Sequence, residues 1–312
     1  MPWCPQAGRA TAESLNMTAT KPDPVHPALQ ALLSRPATLP AVPQVVQALI
    51  QSFSRDDVGL NVIAEQLAAD PVLSVKTLRL ANSAYFHVSR HIETIDDALR
   101  MLGLVMVRNL VLSVGLGHAF RNVKGIDLPL FWRHSLYCAG GARWLAGHTE
   151  CNADLAHTLG LIQGLGHLVM RAADARQLQA LDRHCPPLHA QRAQAELELL
   201  GFHHGQAAAE LARRWQFPPA MVQALAAVHD PAAADADALV AVVRTAVWNA
   251  RRECALVDPK APEALPAAPD GLRCEWAGDA APLQVTDAGG QVHDMPAGPE
   301  LTGGMDPALL VA

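Results

Sequence analysis

The chain has 312 residues, of which 50% are hydrophobic, 4% aromatic and 17% charged. This balance is typical of a helical protein rich in Ala, Leu and Val, with enough apolar material for a sizeable core. The formal net charge of −6 gives no electrostatic reason to bind nucleic acid or an anionic membrane surface. Six cysteines without a C-x-x-C pair give no support for a zinc ribbon or a thiol redox motif and favour a reducing, cytoplasmic location.

The first part of the chain predicts a leader followed by short helices. Residues 1–37 are rich in Pro, Ala and Thr without periodicity, which indicates a flexible N-terminal leader. Apolar spacing then predicts one helix beginning at Pro43, one over residues 62–67 and one beginning at Pro71. The break before Pro71 is expected at Asp70, because the residue before a proline avoids the helical region.

Three further features complete the first lobe. Asn82-Ser83 is interpreted as the cap and turn of the preceding helix in preference to a ligand contact. Thr94-Ile95-Asp96-Asp97 matches a capping box, and Gly103 is expected to end the helix that begins there. The apolar stretch 102–120 is nearly long enough to span a bilayer, but Arg108-Asn109 lie in its middle. A buried core helix is therefore favoured over a membrane span.

The second half of the chain predicts more helices and then a change of composition. After the helix in FWRHSLYCAGGARWLAGHTE, helices are predicted over residues 153–174, 190–200, 204–215, 219–229 and 236–255. Residues 255–312 are rich in Pro, Gly and Ala. A weak β-hairpin built from LRCEW, PLQVTD or QVHDM and disorder are equal alternatives for this tail.

Ordered motifs carry a resemblance to a known family. In chain order they are LPAVPQVVQALI, AEQLAADPVLSVKTLRLANSAYF, IETIDDALRMLG, VRNLVLSVGLGHAF, FWRHSLYCAGGARWLA, GLIQGLGHLVM, HHGQAAAELARRWQFP and ALAAVHDP. Together they resemble the HDOD family of bacterial signalling proteins over about residues 38–254. The resemblance implies an all-α, two-lobed helical bundle, with a five-helix lobe at 38–125 and a degenerate HD-like lobe at 126–254.

The resemblance also implies a function. HDOD proteins act as non-catalytic signal-transduction or scaffold modules that bind other proteins, in two-component or cyclic-di-GMP circuits. Signalling proteins are therefore the expected partners, with no nucleic acid and no membrane insertion, and a homo-oligomer is left open. No receiver, kinase or cyclic-nucleotide domain is recognised in the chain, so the output is expected to come through a separate protein.

HDOD domains are related to HD-domain metal phosphohydrolases, whose site residues can be carried over one at a time. By this resemblance His134 occupies the place of the first metal histidine, the His-Asp dyad falls at Gln163 and Gly164, and a later carboxylate falls at about Val247. Gly164 offers no side-chain ligand, Gln163 is a weak neutral ligand, and Val247 is apolar. We therefore expect no catalytic residue, no bound metal and no cofactor.

Three histidines keep an alternative open. His134, His204 and His229 match positions where related metal enzymes place imidazoles, and three imidazoles can bind zinc with water as the fourth ligand. A residual metal-dependent phosphohydrolase or nucleotide-binding protein is thus the alternative function. The favoured interpretation is that they are helix-packing or surface histidines, with His203-His204 as a solvated helix start.

The stretch GLIQGLGHLVM, residues 160–170, carries three glycines beside a histidine. A phosphate-binding loop is disfavoured because no strand precedes it and position 169 is Val in place of the final Gly. The stretch is predicted to be helical. Gly160 and Gly164 lie one turn apart, and close approach of a neighbouring helix would compensate for their low helix propensity.

Overall fold

The computed structural model describes residues 26–34, 46–47, 50, 64–65, 67–82, 91–230, 237–257, 274–276, 281–302, 305–306 and 310. The described chain is helical apart from one small sheet, so the predicted all-α class is confirmed. Its elements are α1 (Pro27–Leu33), α2 (Pro71–Ala81), α3 (Ile95–Ala119), α4 (Leu128–Ala146), α5 (Ala153–Ile162), α6 (Leu165–Ala173), α7 (Ala175–His184), α8 (Arg192–Leu200), α9 (His204–Arg214), α10 (Pro219–Val228), α11 (Ala238–Val257), β1 (Cys274–Trp276), β2 (Leu283–Thr286), β3 (Val292–Asp294) and α12 (Gly298–Leu301).

The junction at Asp70 is confirmed. Its Oδ1 accepts hydrogen bonds from the backbone N–H groups of Val72 (2.9 Å) and Leu73 (3.1 Å), the donors that the first turn of α2 leaves free. Pro71 then occupies the first helical position, where its missing N–H costs nothing. The two helices predicted before this junction lie mostly outside the described residues.

Asn82 has the structural role predicted for it. Its amide Nδ2 donates to the carbonyls of Leu78 (2.9 Å) and Ile92 (2.8 Å), and its Oδ1 accepts from the backbone N–H of Ile92 (2.8 Å). The side chain thus closes the end of α2 onto the segment that enters α3. Ser83 lies outside the described residues.

Helix α3 consists of two pieces joined at Gly103. Thr94 caps the first piece by accepting from the backbone N–H of Asp97 (3.1 Å), and Gly103 breaks the helix with φ 76° and ψ 161°. Val107, Leu110 and Val111 in the second piece are at most 1% exposed, which confirms the predicted core helix. No single helix among the described residues meets the length and apolarity needed to cross a bilayer. The two pieces, bent by 115°, meet that test together on length and composition alone.

Helix α4 is the centre of the second lobe and is packed by α5, α11 and α12. At Gly160 in α5, a Cβ would lie 2.6 Å from the carbonyl oxygen of Cys138 in α4, so the predicted close approach at this glycine is confirmed. The prediction of one helix over residues 153–174 is wrong. The chain turns at Gln163-Gly164 and starts again as α6, because α6 must change direction to pack on α9. Helix α7 was not predicted.

Part of the predicted flexible leader is ordered. In α1, Leu29 and Leu33 are 2% and 1% exposed and belong to the main core, and Arg214 donates to the carbonyl of Leu33 at 2.7 Å. The expectation of a flexible leader is therefore wrong for residues 27–33. The reason is that a proline at the first helical position favours the start of a helix, and two leucines four residues apart lie on the same helix face. Burial of that face in the main core then stabilises a helix too short to be stable alone.

The C-terminal segment forms a sheet where disorder was the alternative. Strands β1, β2 and β3 pair antiparallel in chain order, and Leu283 and Val285 of β2 are buried. Helix α12 then packs so closely on α4 that a Cβ at Gly140 would clash with the carbonyl of Leu301. Residues 281–302 are thus part of the folded lobe, and the predicted β-hairpin is extended to three strands.

Acid sensitivity is expected from His157 in α5. Burial, followed by the charge of Arg143, lowers the pKa of this imidazole to about 3, below the 6.5 expected in the unfolded chain. Between these two pH values His157 is protonated in the unfolded state and neutral in the folded state, so the free energy of unfolding falls as pH falls. The wild-type chain should therefore lose free energy of unfolding between pH 6.5 and pH 5, at about 1.36 kcal/mol per pH unit for this one histidine. We expect His157→Leu to make that loss smaller by about 2 kcal/mol.

Urea unfolding at the two pH values measures this effect. His184, exposed at the end of α7, provides the control, because His184→Leu should leave the pH dependence of the wild-type chain unchanged. An equal pH dependence for the wild-type chain and His157→Leu would contradict the prediction.

Candidate functional site

Four imidazoles from four helices line one small cavity. His134 lies in α4, His167 in α6, His204 at the start of α9 and His229 at the end of α10. The cavity has a volume of about 10 Å³, room for roughly one water molecule. Its full lining is Phe131, His134, Gln163, Gly164, His167, Pro187, Leu188, His204, His229 and Arg251.

The structure thus brings together the three histidines selected from the sequence and adds His167. His134 is 3% and His204 is 0% exposed, so of the two roles in the favoured interpretation these histidines have the helix-packing one and not the surface one. The ring centroids of His167 and His204 are 3.7 Å apart with the planes nearly parallel, and those of His204 and His229 are 4.1 Å apart. His204 is therefore the centre of the cluster.

His203 places His204 in this position. Its ring Nδ1 caps α9 by accepting from the backbone N–H of Gly205 (3.1 Å). The backbone N–H of His203 in turn donates to Gln206 Oε1 (3.0 Å). The predicted helix start at His203-His204 is confirmed. Its predicted solvation is wrong, because both side chains are at most 1% exposed.

Glu196 in α8 is a buried carboxylate that sequence reasoning missed. It is 0% exposed, and its Oε2 accepts from the backbone N–H and from Nδ1 of His204, both at 2.7 Å. Its Oε1 accepts from Arg192 Nε (2.7 Å) and lies 3.4 Å from His167 Nδ1. Because an ionised carboxylate only accepts, Nδ1 of His204 carries the proton and Nε2 keeps its lone pair. That Nε2 is buried and has no hydrogen-bond partner among the described residues.

The titration of these groups follows from burial and pairing. Burial alone would raise the pKa of Glu196, but the interactions with His204 and His167 hold it well below its usual value. Burial lowers the pKa of His204 to about 4, opposed only in part by Glu196, and lowers that of His134 to about 3. At neutral pH the cluster is therefore a set of neutral imidazoles beside an ionised carboxylate.

A network of ion pairs supports Glu196 from behind. Arg192, 2% exposed, donates to Glu196 and also to Asp182 Oδ1 at 2.6 Å. The other oxygen of Asp182 accepts from Arg171 in α6. The network ties α6, α7 and α8 together and holds the carboxylate in place for His204.

Two of the three positions at which the resemblance places lost metal ligands, Gln163 and Gly164, line this cavity. Gln163 Oε1 accepts from His229 Nε2, and its Nε2 donates to Cys138 Sγ at 3.6 Å. These contacts occupy the polar atoms of Gln163 within the protein. Val247 is buried in α11, the helix that packs on α4, and is not among the residues that line the cavity.

The residues do not fit an HD-type metal centre. Such a centre takes carboxylates from the dyad and from a later helix, and the positions to which the resemblance assigns these ligands hold Gln163, Gly164 and Val247, none of which is a carboxylate. Among the described residues, His167, Glu196 and His204 each offer a ligand atom within 4.8 Å of the other two. The oxygens of Glu196 are already used by Arg192 and His204, and a metal here would also face the guanidinium of Arg251 on the cavity wall.

Comparisons with known proteins agree on the fold. The family model "HDOD domain" matches residues 39–231. A crystal structure from Shewanella amazonensis SB2B named "Putative phosphohydrolase" is 29% identical with a TM-score of 0.61, covering 72% of this chain and 80% of that one. A Geobacter sulfurreducens structure described as an "HDOD domain protein with unknown function" is 26% identical, also with a TM-score of 0.61, covering 71% and 76%.

Two more distant relatives complete the comparison. A structure from Marinobacter aquaeolei VT8 named "Putative signal transduction protein" is 23% identical with a TM-score of 0.59 and covers 72% of this chain and 54% of that one. A curated "Uncharacterized protein" of Treponema pallidum (strain Nichols) is 25% identical over 200 residues, which are 62% of this chain. The match spans 38% of that relative's length.

Proposed function

Because this chain belongs to the HDOD family, we propose that it is a non-catalytic signal-transduction module that acts by binding another protein. The observation that carries the proposal is the small cavity lined by four histidines. It has room for roughly one water molecule, and its wall includes Gln163 and Gly164, the residues to which the resemblance assigns the metal-binding dyad.

Hydrolysis of a phosphate ester needs more than this cavity provides. A phosphate group is larger than the single water molecule for which the cavity has room, and the nearest buried carboxylate, Glu196, already accepts hydrogen bonds from Arg192 and His204. A general base must reach the proton that it removes. Glu196 has no free oxygen with which to activate a water, so the geometry supports binding in place of catalysis.

The proposed setting follows from the family and from charge. The partners are signalling proteins of two-component or cyclic-di-GMP circuits, in the cytoplasm, with no nucleic acid and no insertion into a membrane. The net charge of −6 supports the exclusion of nucleic acid. A homo-oligomer of this chain is compatible with this function.

One observation favours a second candidate function. His134, His204 and His229 line one cavity, and the similar Shewanella structure bears the name of a phosphohydrolase. On this alternative the three imidazoles hold a divalent metal for residual phosphohydrolase or nucleotide-binding activity. The two candidates differ in whether hydrolysis depends on His204.

The full chain should first be assayed with bis-p-nitrophenyl phosphate and with nucleotides, in the presence of Mg²⁺, Mn²⁺ or Zn²⁺. We expect no hydrolysis above that of a His204→Gln variant, with exposed His184→Gln as the matched control. Proteins cross-linked to the chain in its native cell should then be purified and titrated against it, and saturable binding by at least one signalling protein is expected. Metal-dependent hydrolysis that His204→Gln abolishes and His184→Gln retains would overturn the proposal.

A further inference from the structure

Arg251, a partly buried residue of α11, differs from the buried arginines of the second lobe. Arg192 pairs with Asp182 and Glu196, and Arg252 donates to Glu253 and to the carbonyl of Ala281. Arg251 lines the histidine cavity, and its Nε is buried without a hydrogen-bond partner. No carboxylate of the described chain lies within ion-pair distance of it.

The charges around the cavity do not balance. Around the cavity and the ion-pair network behind it, three arginines face two carboxylates; the arginines are Arg171, Arg192 and Arg251, and the carboxylates are Asp182 and Glu196. The imidazoles are neutral, so one positive charge remains, at Arg251. A cation without a counter-charge on the wall of a cavity attracts an anion, and a divalent cation would add to the excess.

The start of α6 adds to the positive electrostatic potential in the cavity. Gly164, its N-cap, has no side chain to accept from the first backbone N–H groups, and it lines the cavity beside Arg251. Unpaired N–H groups and the helix dipole make such a terminus attractive to negative charge. Arg251 and the uncapped terminus are independent features on one cavity wall.

From these observations we propose that the cavity binds one small monovalent anion of the halide class, with Arg251 as its principal partner, and that it excludes divalent metals. The volume of about 10 Å³ selects the ligand. An ion not much larger than one water molecule enters with a small adjustment of the wall, whereas phosphate and sulfate do not. The anion would join α4, α6, α9 and α11 around one charge, independently of whether the chain acts in signalling.

Thermal unfolding of the full chain tests this proposal at equal ionic strength in sodium chloride, bromide, sulfate, phosphate or gluconate. We expect chloride and bromide to raise the midpoint by about 2–4 °C over gluconate, as for a ligand that binds only the folded state. The same shift is measured for Arg251→Met and subtracted from that of the wild-type chain, because general salt effects act on both chains alike. Sulfate and phosphate should show no such difference.

Two variants and one spectroscopic measurement complete the test. Arg251→Lys should keep part of the chloride effect, and Arg176→Met, at an exposed arginine of α7, should keep all of it. If Arg251→Met does not fold, broadening of the ³⁵Cl resonance by the wild-type chain, reversed by bromide, gives the same information. An equal chloride effect in wild type and Arg251→Met, the absence of any broadening, or stoichiometric zinc or manganese retained after dialysis would overturn the proposal. A single water bridging Arg251 and His204 would produce the first two results.

Discussion

Gly166→Ala is expected to lower the free energy of unfolding by about 3 kcal/mol, at the upper end of overpacking costs. A Cβ at this position would clash with the backbone carbonyl of His204 and lie 3.0 Å from the backbone N of Ala208. Both atoms belong to α9, which cannot yield by rotating a side chain. The substitution therefore separates α6 from α9 and moves His204 out of the cluster.

Gly164→Ala is the matched control, two residues earlier in the same stretch. Its Cβ would lie 3.2 Å from the ring of Phe131, a side chain that can shift by a few tenths of an ångström. We expect this variant to lose less than about 1 kcal/mol. Urea unfolding followed by circular dichroism measures both, and equal midpoints for the two variants would refute the close packing of α6 on α9.

Glu196→Gln is expected to destabilise the chain by about 3 kcal/mol, the lower end of the cost of breaking a buried ion pair. After this substitution Asp182 is the only carboxylate left to Arg192 among its present partners. The new amide NH₂ group would also face either Arg192 Nε or His204 Nδ1, both of which are donors. Because Glu196 also fixes the proton of His204 on Nδ1, the variant should release the imidazole from one tautomer.

Glu198→Gln on the same helix provides the control. Glu198 is exposed and accepts a hydrogen bond from Gln194 Nε2 at 2.8 Å, so its neutralisation should change stability by less than about 0.5 kcal/mol. The ¹⁵N chemical shifts of the His204 ring report the tautomer directly. Unchanged shifts and a stability loss equal to that of Glu198→Gln would contradict the role assigned to Glu196.

Local features of the chain were predictable because their causes are local. Asp70 before Pro71, Asn82 at a helix end and Gly103 between two apolar segments act on the backbone within a few residues. Apolar periodicity likewise indicated the helices of both lobes. The break at Gln163-Gly164 was missed because the apolar pattern continues through it, and the turn is decided by packing against α9.

The site was predicted in part. His134, His204 and His229 were found through the resemblance, but they lie in three helices and nothing in their spacing indicates that they share a cavity. His167 carried a signal, since it follows Gly164 by three residues and so shares a helix face with it. Glu196 carried none, because one glutamate in a charged helix is indistinguishable from solvated neighbours until its burial is known.

By itself the sequence determined the helical class, the boundaries set by Pro, Gly and capping residues, and membership of the HDOD family, because these depend on short segments in a fixed order. Only the tertiary structure decided the chemistry of the cavity. The pairing of Glu196 with His204, the excess charge of Arg251 and the room for about one water all depend on distances between helices remote in sequence. Those distances are set by the close-packed core, in which a single Cβ at Gly166 is already too much.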